Sequence, residues 1–520
     1  MNGKAKYFLP SIGQWLFLTV FLTLSFHSGS TLLNDADTGY HIRAGEYILS
    51  TFSVPDHDIF SFLSPPPKWT AHEWLSEVIM GLLHRVFGLT GVVLFFILLI
   101  SLAYPLLFRM MRSCRGNIVA DVVILLLVLF SSTLHWLARP HIFSLILTVV
   151  WYRLLEDFRK EGKNRLYLLP PLMLLWVNLH GGFMAGFLLL AIFSLGSLIA
   201  FRYTVREGRE QARRNVLFLG ITFIACLLVS LINPYGYQIL FFPFRLVSQK
   251  FLMDNVNEFL SPNFHQVMPF KYLLLLTIAI LAVSVKKLDF VEISLLLIFL
   301  DMSLYSARYI PLFCIVTAPV LARQAGTFLA RREGRRFSVF RNKSDRIAAT
   351  DASVKGHAWV ILGLLLVTGA AAMEKMEFRF DKTKKPVDAV EFLKRERIPG
   401  NMFNNDEFGD YLIYAAYPRY RVFLDGRSDM YGSGIVKDYM KVIGLETGWE
   451  KVIAKYDIGW IFFDADSLLS RMLYEQKGWH LIYADKVANI FVEKIPKYQD
   501  VIRRYGDVSP VLPATGEEDP

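Results

Sequence analysis

The sequence predicts an α-helical polytopic membrane protein that carries a small α/β domain at its C-terminal end. Three observations lead there. The 520 residues are 54% hydrophobic with a mean hydropathy of +0.37, more apolar material than a soluble chain of this length needs. The apolar residues come in blocks of roughly 17–25, the length that crosses a bilayer as a helix. After a basic linker at 381–386 the pattern changes to short strand and helix motifs in alternation. The net charge of +10 would ordinarily suggest nucleic acid, but the excess is local. Residues 323–355 hold nine basic side chains against three acids. Beside membrane spans such a block reads first as a cytoplasmic topology signal, with anionic lipid as a second partner, and no nucleic acid is expected.

About eleven spans are predicted, at 12–33, 89–108, 118–136, 141–157, 166–180, 182–201, 216–233, 270–285, 289–306, 308–325 and 357–373. The first lacks a small-x-small cleavage site and reads as a retained helix. With Lys4 and Lys6 inside, the loops at 109–115, 153–165, 202–214 and 286–287 and the basic block all fall on the inner side, and all are rich in Lys or Arg. The opposite loops are acidic or nearly neutral; residues 34–88 carry seven acids against three bases. Three cysteines, Cys114, Cys226 and Cys314, offer neither a disulfide framework nor a metal spacing. The expected division is a membrane domain over 1–375, an extracytoplasmic α/β domain over 386–495 and a disordered tail over 496–520.

This topology gathers polar residues on the outer side: Asp35, Asp37, His41, Arg43, Glu46, His72, Glu73, Arg139, His141, Asn178, His180, Asn233, Glu258 and Arg308. Singly, each reads as an interfacial residue, and Asp37 as the cap of a helix starting near Thr38. As a set converging on one side they read as one site. In the first outer loop, 38–50 reads as an amphipathic helix with Tyr40, Ile42, Tyr47 and Ile48 toward lipid. Residues 69–87 read as a second interfacial helix with Trp69 and Trp74 at headgroup depth. The aromatic loop after Asn233 reads as half-buried cover over the site.

In the C-terminal domain, helices are predicted at 387–397, 408–416, 435–445, 449–456 and 467–476. Strands are predicted at 401–404, 421–424, 459–463, 480–483 and 488–492. Asp425-Gly426-Arg427 follows a predicted strand, where α/β domains place ligands, although a tight turn with a structural Arg–Asp pair explains it as well. Leu512-Pro513-Ala514-Thr515-Gly516 matches a wall-sorting pentapeptide but lacks the apolar span and basic tail of a working signal.

Moving a sugar from a lipid phosphate to a hydroxyl needs a carboxylate to take the acceptor proton or bind an activating metal, cations to hold the departing phosphate, and a greasy groove for the lipid. Asp35 or Asp37 fits the first role. Arg139, His141 and Arg308 fit the second. His41, His72 and Glu73 fit acceptor positioning or a divalent cation, which no ligand spacing specifies.

The residues Asp35-x-Asp37-x-Gly39-x-His41-x-Arg43-x-Gly45-Glu46, Val54-Pro55-x-x-Asp58-x-Phe60-Ser61, Trp69-x-x-His72-Glu73-Trp74-Leu75, Asn178-x-His180-Gly181-Gly182 and Arg308-Tyr309-Ile310-Pro311 resemble the GT-C superfamily of polytopic glycosyltransferases. That superfamily includes the protein O-mannosyltransferases and lipid A aminoarabinose transferases; the nearest resemblance is to a bacterial branch. It implies an inverting transfer of a hexose or pentose from a polyprenyl-phosphate-linked donor to a lipid, glycan or protein acceptor. The reaction would take place on the outer face of the bacterial cytoplasmic membrane. It places the catalytic acid in the first outer loop, carried here to Asp37 with Asp35 second. From the gathering of polar residues on the outer side, substrate binding is expected on His41, Arg43, Glu46, His72, Glu73, Arg139, His141, His180 and Arg308. Many relatives have adjacent Asp-Glu where this chain has Asp-Ala-Asp, which leaves the choice between the two acids open. Two other classes remain: a lipid or glycolipid flippase, to which Asp301 within a span points, and a non-catalytic assembly protein.

Overall fold

The computed structural model describes residues 5–114, 116–204, 208–255, 259–284 and 286–511. Lys4, Arg115, Glu258 and the pentapeptide at 512–516 lie outside them. In chain order the first helices are α1 (Ala5–Phe8), α2 (Ile12–Thr23), α3 (Thr38–Thr51), α4 (Trp74–Ser113), α5 (Ile118–Ser132), α6 (His141–Glu161), α7 (Leu169–Leu179) and α8 (Phe183–Tyr203). They continue as α9 (Arg209–Val229), α10 (Gln238–Ser248), α11 (Lys250–Asn255), α12 (Pro269–Val283), α13 (Phe290–Tyr305), α14 (Ile310–Arg331), α15 (Arg335–Ser353) and α16 (His357–Ala372). The C-terminal part runs α17 (Val387–Arg395), β1 (Asn401–Asn404), α18 (Asp406–Ala416), α19 (Ser428–Ile443), α20 (Trp449–Lys455), β2 (Ile458–Asp464), α21 (Leu468–Glu475), β3 (Trp479–Ala484), β4 (Ala488–Glu493) and α22 (Gln499–Tyr505).

The chain forms two compact units, one of Met1–Gly29 and Val93–Glu377, the other of Ser30–Val92 and Phe378–Pro520. The first outer loop, expected within the membrane domain, thus groups with the C-terminal α/β domain.

Among the described residues each expected span falls mainly on helix. Their ends follow ordinary capping: Ser11 and Gln14 form a capping box on α2, Asn117 caps α5, and Asp289 with Glu292 boxes α13. Among the described residues six helices are long and apolar enough to cross a membrane, or seven if the α15–α16 pair, bent by 66°, is one span. The other four expected spans differ for plain reasons. The last turns of α6 are charged, and α7, α12 and α13 are 11, 15 and 16 residues long. The chain is a multi-pass membrane protein; eleven crossings remain a proposal. Helix α14 packs against α5, α12 and α13 and buries Phe313, Cys314, Val316 and Leu321. On α9, Leu217, Ile221, Ile224 and Leu228 fall on one exposed face, the spacing of a lipid-facing stripe.

The second unit is built on a four-stranded sheet in the order β1-β2-β4-β3, with β1 parallel to β2 and the other pairs antiparallel. Predicted strand 421–424 is not in that sheet. It pairs with the first outer loop instead: Phe62 N–H donates to the Val422 carbonyl at 3.1 Å and Val422 N–H to the Phe60 carbonyl at 3.2 Å. Helix α3 does not lie on lipid. Its Tyr40, Ile42 and Ile48 are buried within this unit, where α3 packs against α18. The amphipathic pattern was real, but it faces protein. Trp69 is likewise buried, outside any helix, and α4 begins only at Trp74 and breaks at Gly88. Residues 496–505, expected to belong to a disordered tail, are ordered. A 3₁₀ turn at Pro496–Tyr498 and α22 are ordered by Tyr498, which is buried and donates its hydroxyl to the Pro399 carbonyl at 2.8 Å.

Candidate active site

In the second unit, Asp37 sits at the start of α3 with helical φ/ψ and makes no side-chain cap bond, so the capping role fails. Asp35 holds the turn: its Oδ1 accepts the Asp37 N–H at 2.9 Å. The Asp37 carboxylate, 9% exposed, lies against Gly426, the middle residue of Asp425-Gly426-Arg427. A Cβ built on Gly426 would stand 2.5 Å from Asp37 Oδ1 and 2.8 Å from Asp410 Oδ2. Any side chain there would drive the two carboxylates away. Gly426 N–H donates to both Asp410 oxygens, each at 3.1 Å. Burial, and then the nearby charges of Asp37, Asp425 and Asp35, push the Asp410 carboxyl well above the usual range.

Arg427 anchors this turn. Its Nε and Nη2 donate to Asp425 at 2.8 and 2.6 Å, and Nη2 also reaches Asp58 Oδ1 at 2.8 Å. The guanidinium lies over the rings of Trp69, Phe60 and Tyr40, at 4.5, 4.9 and 5.6 Å. Burial opposes ionisation of Asp58, but the Arg427 charge and the bonds from Ser61 and Phe60 hold its carboxyl below the usual range. The Arg–Asp pair is therefore structural, and it ties the first loop to the turn on which Asp37 rests.

The other expected residues of this unit are engaged in ties of their own. His41 is buried, with Nδ1 3.3 Å from Glu77 and Nε2 3.6 Å from Glu73, whose other oxygen is 3.7 Å from His72. Arg43 donates to Glu46 at 2.6 Å and through Nε at 2.8 Å to the Tyr414 carbonyl. Glu46 also meets His84 at 2.8 Å. Burial works against its charge, yet the bonds from His84 and Arg43 hold its carboxyl low. These contacts join α3 to α4 and α18. Among the described residues no group of three or more His, Cys, Asp or Glu is placed to hold a metal ion.

In the first unit, His141, His180, Arg139 and Arg308 come from helix ends as expected, together with His135, which the sequence reading passed over. The His135 and His141 rings are 5.8 Å apart and those of His141 and His180 6.4 Å apart. His141 Nε2 donates to the His135 carbonyl at 2.8 Å, and His135 Nε2 to the Ala307 carbonyl at 3.2 Å, next to Arg308. The charges of Arg139 and Arg308 both act on His141. Asn178 and Asn233 bond to each other at 3.0 Å. The signals for what was missed are faint. Asp410 is a carboxylate on the buried face of an amphipathic helix, and Asp425 was legible only as part of a turn.

No protein-family model and no curated protein matches the chain. Among solved structures it is similar to the archaeal oligosaccharyltransferase AglB from Archaeoglobus fulgidus, captured with an inhibitory peptide and a dolichol-phosphate. The likeness has a TM-score of 0.52 at 11% identity and covers 93% of this chain and 74% of that one. A looser likeness, to a mutant of the arabinofuranosyltransferase AftD from Mycobacteria, has a TM-score of 0.46 at 13% identity. It covers 92% of this chain and 41% of that one, and nothing rests on it. The first likeness shows that the two chains share a fold.

Proposed function

We propose that the chain is a membrane glycosyltransferase that moves a sugar from a polyprenyl-phosphate-linked donor to an acceptor on the outer face of the cytoplasmic membrane, with Asp37 as base. The observation that carries this reading is the meeting of Asp37 and Asp410 across Gly426. Two carboxyl groups brought together do not both ionise readily, and the raised Asp410 carboxyl favours its protonated form, so Asp37 is assigned the role of base. As the acceptor oxygen or nitrogen attacks the anomeric carbon, its proton passes to Asp37. The bond between that carbon and the phosphate oxygen breaks, and the electron pair leaves on the lipid phosphate. Arg139, His141, His180 and Arg308 are assigned to that phosphate, where fixed donors stabilise developing charge. Asp35 positions Asp37 through the backbone bond, which separates the roles of the two acids. The fold supports the reading because a protein of that fold was captured with a dolichol-phosphate.

The test is turnover of a panel of labelled polyprenyl-phosphate hexoses and pentoses by the purified chain with membrane acceptors. Asp37→Asn is expected to lower turnover by about 10²–10⁴-fold with donor binding kept, and Asp35→Asn to have a smaller effect. Full turnover by Asp37→Asn would sink the assignment. Lipid movement across vesicles without bond cleavage would replace it with a flippase.

A further inference from the structure

Among the residues assigned to the phosphate, His180 is wired differently from the rest. It ends α7, is 6% exposed, and its Nδ1 faces two hydrogen-bond donors. The Gly182 backbone N–H points at Nδ1 from 2.9 Å, and the Ser144 Oγ of α6 lies 2.7 Å from it. A backbone N–H can only donate, so this nitrogen carries a lone pair and the ring proton sits on Nε2. Behind Ser144, the Trp176 Nε1–H donates to Oγ at 2.6 Å. An indole N–H also only donates, which turns the hydroxyl proton toward His180. A Cβ at Gly182 would stand 2.4 Å from Ser144 Oγ and 2.7 Å from His180 Nδ1, so position 182 has room for glycine alone.

We infer that Trp176, Ser144 and Gly182 act as positioning residues that lock His180 in its neutral Nε2–H tautomer, making it a fixed hydrogen-bond donor and neither a cation nor a general base. Protonating Nδ1 would set an N–H against the Gly182 N–H at a part-buried turn, where opposed donors are costly. An unrestrained histidine changes charge between about pH 5 and pH 8; this one holds one charge state through that window. The groups around it are His141, with His135 beyond, the charges of Arg139 and Arg308 acting on His141, and the uncharged Asn178–Asn233 pair. His180 thus adds a donor to a cationic end without adding charge. For its ligand, though not for its proton, this inference rests on the proposed reaction.

The experiment uses the full chain in nanodiscs with isotope-labelled histidine, the His180 signal being identified by its loss in His180→Gln. The wild type is expected to show an unprotonated Nδ1 and no titration between about pH 5 and pH 8. In Ser144→Ala, and in Trp176→Phe should the former fold poorly, the signal is expected to titrate. A wild-type His180 that titrates in this window, or that carries its proton on Nδ1, overturns the lock. A second arm measures binding of a polyprenyl methyl phosphodiester, whose single charge is constant over the same range. Affinity is expected to be flat with pH in the wild type and to rise as pH falls in Ser144→Ala, where an imidazolium becomes accessible. His180→Leu should weaken binding about tenfold, while His180→Gln, whose amide can donate, should retain most of it. Should the lock be present and His180→Leu bind the probe as well as wild type, the phosphate assignment under the proposed function fails and the lock stands.

Discussion

The two ends of α6 carry opposite kinds of polar chemistry. At its C-terminal end every charge printed by the sequence meets its opposite. Arg159 pairs with Glu156 at 2.7 Å and with Asp289 at 2.6 Å, and Arg153 pairs with Asp157 at 2.6 Å. Glu292 of α13 meets Arg323 of α14 closely and also stands 3.7 Å from both Arg159 and Lys160. This network closes on itself and ties three helices together. At the N-terminal end His141 donates to a backbone carbonyl, Ser144 sits in the relay to His180, and the charges that act are those of Arg139 and Arg308. The second unit repeats the contrast over a few residues. Arg427 is held between Asp425 and Asp58, whereas one residue away Asp37 and Asp410 are two carboxyl groups brought together. Buried charges that find their opposites build the fold. Carboxyl groups brought together, and a histidine nitrogen faced by donors, are arrangements that folding alone gains nothing from, and they mark the regions assigned to chemistry.

That contrast can be broken by three substitutions, the largest effect first. Glu292→Ala removes the carboxylate shared by Arg323, Arg159 and Lys160 and takes from the largely buried Arg323 its carboxylate partner, which should cost about 3–5 kcal/mol of stability. A thermal melt of the purified chain should show a large drop in Tm, with turnover per folded molecule retained; an unchanged Tm would mean the network is not what holds α6, α13 and α14. Arg308→Ala is expected to do the reverse, raising the KM for the lipid-linked donor by about 10- to 100-fold while Tm barely moves. A Tm loss as large as that of Glu292→Ala would show this end to be structural too.

The smallest effect is expected from Asp410→Asn. Because the folded state raises the Asp410 pKa, the ionised form opposes folding at neutral pH, and that opposition fades as pH falls from the raised folded value toward the unfolded one. The asparagine keeps an acceptor for Gly426 N–H and removes the like charge. The variant should therefore be at least as stable as wild type at neutral pH, with the difference closing in acid. A variant less stable at pH 7 than wild type would show that Asp410 is paired with a cation and not with Asp37.

Much of the fold was legible in the sequence because lipid imposes a one-dimensional rule. Each membrane helix must satisfy its own backbone and present apolar side chains, so span positions show in hydropathy alone. The alternating pattern after residue 386 likewise announced an α/β domain, and four of its five predicted strands form the sheet. Partner choice left no such mark. The apolar stripe of 38–50 looks the same whether it meets a bilayer or α18, and only the packed structure shows that it meets α18. Segment 421–424 has strand composition, but its hydrogen bonds go to the first outer loop, more than 350 residues away in sequence. Asp37 announced itself by its place after the first span, whereas its neighbour Asp410 was hidden on a helix face that periodicity assigns to the core. Local pattern decides which segments become helix, strand or span, because those choices depend on neighbouring residues. Which carboxyl groups come together, and which donors face a histidine nitrogen, depends on atoms distant in sequence and a few ångströms apart in space, and only the tertiary structure decided that.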